Sequence, residues 1–364
     1  MPAGSDVDED RGAAAAPAPD PRCPACGAAG AAIGRRERGG GAWTCFQCPA
    51  CELQYWSPRA IDPAFYADAH HDTYERRRRG EAFLRERHRV FLERARPGRL
   101  LDVGCGEGMF LQVARERGFE VAGLDLDAGN VAAARARGRA PIEQGLLLGE
   151  DGQLAPMLRG APPFDWVTAF EVLEHQPDPL AFLGAARGLL AAGGRLCGSV
   201  PNRDRALAGR ERRRSDGDFP PHHFLWFSRA ALEATLRAAG FTRVHVEPIA
   251  ERDPQAFAAY LEHALLGGLT GAAKRAVRRA VERSAAADAA APGDDEAPPD
   301  GDGGAARPDG GAGGSSGGGR PRGGGARQLM QAARRLKNAP FVPAALLLAR
   351  LAPERARALY FEAS

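Results

Sequence analysis

Three groups of residues in this chain have the types and spacing to do chemistry: a run of cysteines, a glycine-rich turn and a set of histidines. Five of the seven cysteines fall between residues 23 and 51. CPACG (23–27) and CPACE (48–52) are near copies, each placing two thiols around a tight turn where both sulfurs can face one ion. Two such turns complete a tetrahedral Zn2+ site with Zn–S bonds of about 2.3 Å. Cys45 also precedes Cys48 by three, and a separation of roughly 15–20 residues between pairs would favour that register. The repeated CPAC sequence instead favours Cys23, Cys26, Cys48 and Cys51. Four thiolates leave no open coordination position, so the expectation is a structural zinc ribbon. A ribbon that reads nucleic acid is the sharper alternative, but it asks for a basic and aromatic face that Arg35, Arg36, Arg38 and Trp43 only partly supply.

The second group is RLLDVGCGEGMF (99–110), in which an apolar run ends in Asp102 and Gly104, Gly106 and Gly108 follow at alternate positions. A dinucleotide fingerprint needs G-x-G-x-x-G, and the sixth position counted from Gly104 is Met109. No Lys-Ser/Thr pair follows, which disfavours a triphosphate loop. Asp125 ends the next apolar run, 21 positions after Gly104, where a carboxylate can accept from ribose hydroxyls. The expected ligand is an adenosine without a pyrophosphate.

These groups need a scaffold, and hydrophobic periodicity supplies one from about residue 80 to 249. Helices are expected over 81–96, 109–117 and around 129–137. Another has Asp178 as N-cap, Pro179 at its first position and Gly193 beyond its end, and a further one is capped by Ser228. Strands are expected at 100–103, 120–125, 164–170, 195–200 and 242–249. Alternation of this kind specifies a doubly wound α/β sheet with its ligands beyond the carboxyl ends of the strands.

Composition sets the outer bounds. Hydrophobic content of 44% and charged content of 26% are those of an ordinary globular protein, and a net charge of +3 is too small to argue for nucleic acid. All basic residues but Lys274 and Lys337 are arginine, so Arg clusters such as 76–79 are discounted as solvated surface. No secretory signal opens the chain, and FVPAALLLARLAP (341–353) is too short to span a bilayer and carries Arg350. A cytoplasmic location without a transmembrane segment is the default, and the cysteines then read as metal ligands or free thiols.

LLDVGCGEG, GLDLD, FDWVTAFEVLEHQPDP, LLAAGGRLCGSVPN and PPHHFLWFS, in this order over roughly residues 80–249, resemble a class I S-adenosylmethionine-dependent methyltransferase. The resemblance, with an N-terminal Cys-pair ribbon as a recurrent variant, implies a Rossmann-like, mostly parallel seven-stranded sheet. Gly104, Gly106 and Gly108 would let the backbone approach the methionyl part of the cofactor, with Asp102 fixing the turn and Asp125 on the ribose. Glu171 would lie near the sulfonium methyl. For the adenine contact, EQGLLLGED (143–151) offers no clean match. Asp127 reads as a helix cap, and Cys105 and Cys197 as buried packing residues.

Methyl transfer needs alignment and exclusion of water, and a hydroxyl nucleophile must also lose its proton. The resemblance puts His175, His222 and His223 at the active-site rim, where one could accept it. His70, His71, His88, His245 and His263 are assigned to surface or packing. The basic loop 202–219 would help cover the substrate, with Arg212, Arg213 and Arg214 as candidates for meeting an anionic group.

The resulting division is a disordered tail over 1–20, a zinc ribbon over 21–58 and a methyltransferase domain over 59–249. A helical insertion (250–286), a disordered linker (287–327) and a segment of helices with a closing strand (328–364) follow. The closing strand is RALYFEAS (357–364). The expected activity is O-methylation of a small-molecule, saccharide or lipid-linked acceptor. The competitors are an RNA methyltransferase gripping its substrate with the ribbon, and a non-catalytic binding protein that keeps the fold.

Overall fold

The structure is a computed structural model and describes residues 18–62, 65, 84–138, 140–206, 208–213, 215–249 and 356–364. The expected tail over 1–17, the insertion, the linker and the helices between 250 and 355 lie outside the described residues. Among the described residues no helix is long and apolar enough to cross a membrane.

Two sheets organise the chain. Strands β1 (Ala31–Arg38), β2 (Gly41–Gln47) and β3 (Gln54–Ser57) form an antiparallel meander that carries the cysteine turns. The second sheet holds β4 (Arg99–Val103), β5 (Glu120–Asp125), β6 (Ile142–Gln144), β7 (Phe164–Phe170) and β8 (Leu190–Pro201), all parallel. β10 (Val244–Pro248) and β11 (Ala358–Ala363) close it. The spatial order is β10-β11-β8-β7-β4-β5-β6, and β11 runs antiparallel to both its neighbours. The order reverses between β4 and β7, the place where open α/β sheets bind ligands. The short strand β9 (Leu225–Trp226) does not join this sheet; it pairs with β3 as the fourth strand of the first one.

The helices α1 (Glu86–Arg94), α2 (Met109–Glu116), α3 (Ala128–Arg137), α4 (Pro179–Gly188), α5 (Ala208–Arg212) and α6 (Arg229–Ala238) connect these strands. Three begin where the sequence places a cap: Asp127, Asp178 and Ser228 each accept a backbone amide three residues on, at 2.6, 2.9 and 3.1 Å. Such caps each stabilise a helix by about 1 kcal/mol. Some boundaries differ from expectation. α1 begins at Glu86, after the extended Arg85, and stops before Ala95, which is also extended; Pro97 disfavours helical backbone at Arg96 and so bars any continuation. α4 ends at Gly188 rather than near Gly193, since β7 captures the chain there: the amide of Phe164 donates to the Leu189 carbonyl at 2.8 Å. Gly193 instead lies inside β8 with φ 80°.

Apolar side chains fill both faces of the large sheet. On one, Phe91 of α1 is fully buried and meets Phe110 and Trp166 edge-on at centroid distances of 5.5 and 5.4 Å. On the other, a single cluster runs from Leu183 and Leu232 through Phe224 and Leu225 into Phe46, Leu53 and Tyr55 of the small sheet. The cysteine module therefore shares a core with the larger sheet.

Candidate functional site

The two CPAC turns fold alike. Gly27 and Glu52, the fifth residue of each, take left-handed backbone with φ 76° and 62°. Their amides return to the carbonyls of Cys23 and Cys48 at 2.9 and 3.2 Å. The Sγ atoms of Cys23 and Cys51 lie 3.5 Å apart and those of Cys26 and Cys48 3.4 Å apart. Thiolates around a tetrahedral zinc would stand about 3.8 Å apart, the edge set by bonds of about 2.3 Å. All four ligand atoms fall within 4.8 Å of one another, so the donor set and its geometry fit a structural Zn2+. Cys45 sits outside this set, on β2, where burial pushes its thiol up to about 12.

Beyond the carboxyl ends of β4, β5 and β7 lies a cleft of about 790 Å3 that is open to solvent. Gly104 borders it with φ 76°, and a Cβ there would stand 2.6 Å from the Val172 side chain. The turn is held by Leu124, whose carbonyl accepts the amides of Gly104 and Cys105 at 2.8 and 2.9 Å, and by Asp125. One oxygen of Asp125 accepts the Gly106 amide at 2.8 Å; the other accepts from Asp127 and Asn130 at 2.9 and 3.3 Å. A carboxylate has about four acceptor sites, so one remains on the Gly106 side for a ligand hydroxyl. Burial raises the carboxyl of Asp125, and the two backbone amides oppose that shift.

Two of the sequence-derived cofactor residues play different parts. Asp102 does not fix the turn or line the cleft. Its side chain points into the sheet, is 3% exposed, and accepts from Thr168 Oγ1 of β7 at 2.7 Å. Gly108 also stands away from the cleft. It is the N-cap of α2 with φ 78°, and a Cβ there would meet Ala134 Cβ and Cα at 2.8 and 2.9 Å, so its task is helix packing.

Glu171 borders the cleft at the end of β7 with left-handed backbone, φ 59°, an expensive conformation for a residue with a side chain. Ser199 Oγ donates to its carboxylate at 2.7 Å, and the Arg87 guanidinium lies 3.7 Å away. The cleft thus presents a carboxylate where a cationic ligand group would be favoured.

His175, His222 and His223 gather in one cluster, with ring centroids 4.4 to 4.7 Å apart. His175 Nδ1 donates to the carbonyl of His222 at 2.6 Å, and His222 Nδ1 to that of Gly217 at 2.8 Å. Each neutral ring is fixed in the tautomer that carries its lone pair on Nε2. His175 and His222 line the cleft; His223 stands behind them, between Asp218 (Nδ1 to Oδ1 3.7 Å) and Glu174 (Nε2 to Oε1 3.9 Å). Asp218 is held well below the usual carboxylate range by His223 and Arg205 against the cost of its own burial. Glu174 is 1% exposed, and neither of its carboxylate oxygens has a hydrogen-bond partner.

The other histidines and the arginine loop fall into place. His88 stacks on Phe110 at 4.9 Å and His245 is exposed beside Glu247, whereas His70, His71 and His263 lie outside the described residues. Arg212 does not wait for an anionic substrate: it bonds Asp218 at 3.0 Å and covers the ring of Trp226 at 3.8 Å. Arg213 is exposed, and Arg214 lies outside the described residues. The sequence reading missed several cleft residues, among them Ile61, Leu126, Asn130, Leu146 and Leu147. Leu146 and Leu147 belong to LLL at 146–148, an apolar strip in the segment where a polar side chain was sought.

A family profile described as a methyltransferase domain matches residues 74–246. The ubiquinone biosynthesis O-methyltransferase of Psychrobacter arcticus is 34% identical over 166 residues, 42% of this chain and 65% of that protein. The protein of the same name from Caulobacter sp. (strain K31) is 37% identical over 137 residues, 35% of this chain and 53% of its own length. The chain therefore spans between about half and two thirds of these curated relatives. Among solved structures, an S-adenosylmethionine-dependent methyltransferase from Mesorhizobium loti aligns with a TM-score of 0.37 at 24% identity, covering 48% of this chain and 88% of that one. The matched segment and the strand order agree: residues 74–246 carry a methyltransferase domain, built on a mostly parallel seven-stranded sheet.

Proposed function

We propose that this protein transfers a methyl group from S-adenosylmethionine to a hydroxyl of a small-molecule, saccharide or lipid-linked acceptor, with Zn2+ held structurally by Cys23, Cys26, Cys48 and Cys51. One observation carries the reading: the Gly104 turn, Asp125 and the His175–His222 pair line a single cleft. The bound cofactor supplies an electrophilic methyl on a sulfonium. Asp125 would accept from the ribose, Gly104 would let the backbone approach, Leu146 and Leu147 would flank the adenine, and Glu171 would favour the cationic end. An acceptor hydroxyl gives its proton to Nε2 of the His175–His222 pair, a step worth about 10²- to 10⁴-fold in rate. The relatives are O-methyltransferases by name, which supports oxygen as the accepting atom.

The ribbon's basic residues weigh against RNA. Arg36 and Arg38 both pair with Asp216, and Arg35 with Glu37, so two carboxylates offset two of the three positive charges on β1. A second reading of the proton step is favoured by the orphaned oxygens of Glu174. With the three imidazoles they have the donor chemistry to hold a divalent cation that would acidify the acceptor hydroxyl. Turnover that rises with added Mg2+ or Mn2+ in the unaltered protein and no longer does so in Glu174→Gln would select it.

The assay for the function incubates the protein and methyl-labelled S-adenosylmethionine with cell extract fractionated into RNA, lipid, saccharide and small-metabolite pools. Label on oxygen in a non-nucleic-acid pool is expected; label entering RNA alone would overturn the proposal.

A further inference from the structure

The cysteine ribbon meets the catalytic end of the cleft through a continuous set of contacts. Gln54 and Tyr55 of β3 pair in register with Trp226 and Leu225 of β9, and the amide of Trp56 donates to the Phe224 carbonyl at 2.9 Å. Phe224 directly follows His223, and its own amide donates to the carbonyl of Glu174 at 2.9 Å. From the other side of the ribbon, Arg36 lies over the ring of Phe219 at 3.9 Å and, with Arg38, grips Asp216. The 216–226 segment that bears both histidines is thus clamped at its two ends by ribbon strands. The clamp has an apolar seam too: Trp56, Phe219 and Trp226 meet edge-on with centroids 5.4 to 5.7 Å apart.

The chain leaving the ribbon continues into the site. Arg59 donates to the carbonyl of Pro177 at 2.8 Å, two residues past His175, and Ile61 then enters the wall of the cleft beside His175 and His222. Among the described residues nothing comparable joins the ribbon to the Gly104 turn and Asp125, which are held by Leu124, Asp127 and Asn130.

We propose that the ribbon is the frame of the acceptor half of the cleft, so that its metal-held fold sets where His222 and His223 stand and supplies Ile61, while leaving the cofactor half independent. Loss of metal or oxidation of the thiols would then disorder acceptor binding before it disturbs cofactor binding. The inference rests on the reading above that the histidine end receives the acceptor.

Its test uses the full chain with its metal content measured, in three forms: as purified, stripped of metal by mercurial titration of the thiols, and carrying Asp216→Ala. The last keeps every thiol and removes the partner of Arg36 and Arg38. Amide hydrogen exchange is read by mass spectrometry, and S-adenosylhomocysteine serves as the probe for the cofactor half. Stripping should speed exchange over 222–227 at least tenfold while β4 and β5 stay protected and the probe's Kd moves less than threefold. Asp216→Ala should move the same peptides in the same direction by a smaller factor. Unchanged protection over 222–227 overturns the proposal, and so does exchange that spreads through β4 and β5 with loss of probe binding. If the purified protein itself fails to bind the probe, the methyltransferase reading falls, and the exchange comparison still decides what the ribbon holds.

Discussion

The Nδ1 of His175 lies 2.6 Å from the carbonyl oxygen of His222, so the histidine ending the 173–175 turn is locked onto the backbone of the histidine beside it on the cleft wall. The bond fixes the His175 tautomer and couples two segments 47 residues apart in sequence. With an acceptor found by the labelling assay, His175→Gln and His222→Gln should each lower kcat by about 10²-fold or more, the range of a general base. Affinity for S-adenosylhomocysteine should stay within threefold. A loss confined to cofactor affinity would remove the pair from the proton step.

Gly106 and Gly108 share left-handed backbone, with φ 55° and 78°, but differ in their surroundings. A Cβ at Gly106 meets nothing within 4 Å; at Gly108 it meets the backbone of α3. Gly106→Ala should cost about 1–2 kcal/mol, the conformational term alone. Gly108→Ala should cost more, about 3 kcal/mol, because α2 and α3 must separate. Equal losses in urea denaturation would contradict this division.

Burial pushes the carboxyl of Asp102 up to about 7, with the Asp125 charge adding to the rise and Thr168 and Arg87 opposing it. Its ordinary value near 3.8 applies to the unfolded chain. The folded value lies above the unfolded one, so the stabilising contribution is fully present below about pH 3.8 and is lost as pH rises through about 7. Asp102→Asn cannot ionise and keeps a hydrogen-bonding side chain against Thr168. The stability of the variant relative to the unaltered protein should therefore be flat at low pH and rise between pH 4 and 8. A difference independent of pH would contradict the assignment.

Metal content separates the two cysteine registers. The purified chain should carry one equivalent of zinc, retained in Cys45→Ser and lost in Cys48→Ser, measured by elemental analysis. Cys51→Ser should lose it as well. Zinc retained in Cys51→Ser and lost in Cys45→Ser would reverse the register.

What could be read from the sequence was whatever local chemistry specifies. The CPAC repeat picked out the four thiols that the fold gathers, and Asp127, Asp178 and Ser228 marked their helices because a cap acts within four residues. RALYFEAS also announced its strand, although more than a hundred residues separate it from β10. Adjacency to the glycine turn did not show where the Asp102 side chain goes: strand alternation turns it to a buried face of the sheet, against Thr168. The β3–β9 pairing, and Ile61 with it, was not legible. Two residues are too few to show a period, and their partner strand lies about 170 positions away. The arginines of 202–219 looked free because sequence does not reveal that Asp218 is buried among them.

The account stands on the cleft being a site for S-adenosylmethionine, and calorimetric titration of the purified chain tests it most directly. S-adenosylmethionine and S-adenosylhomocysteine should bind one to one, with NAD far weaker. Asp125→Ala should weaken both by about ten- to a hundredfold, the loss of a hydrogen bond to a charged acceptor. Absence of binding, or affinity indifferent to Asp125, would contradict it.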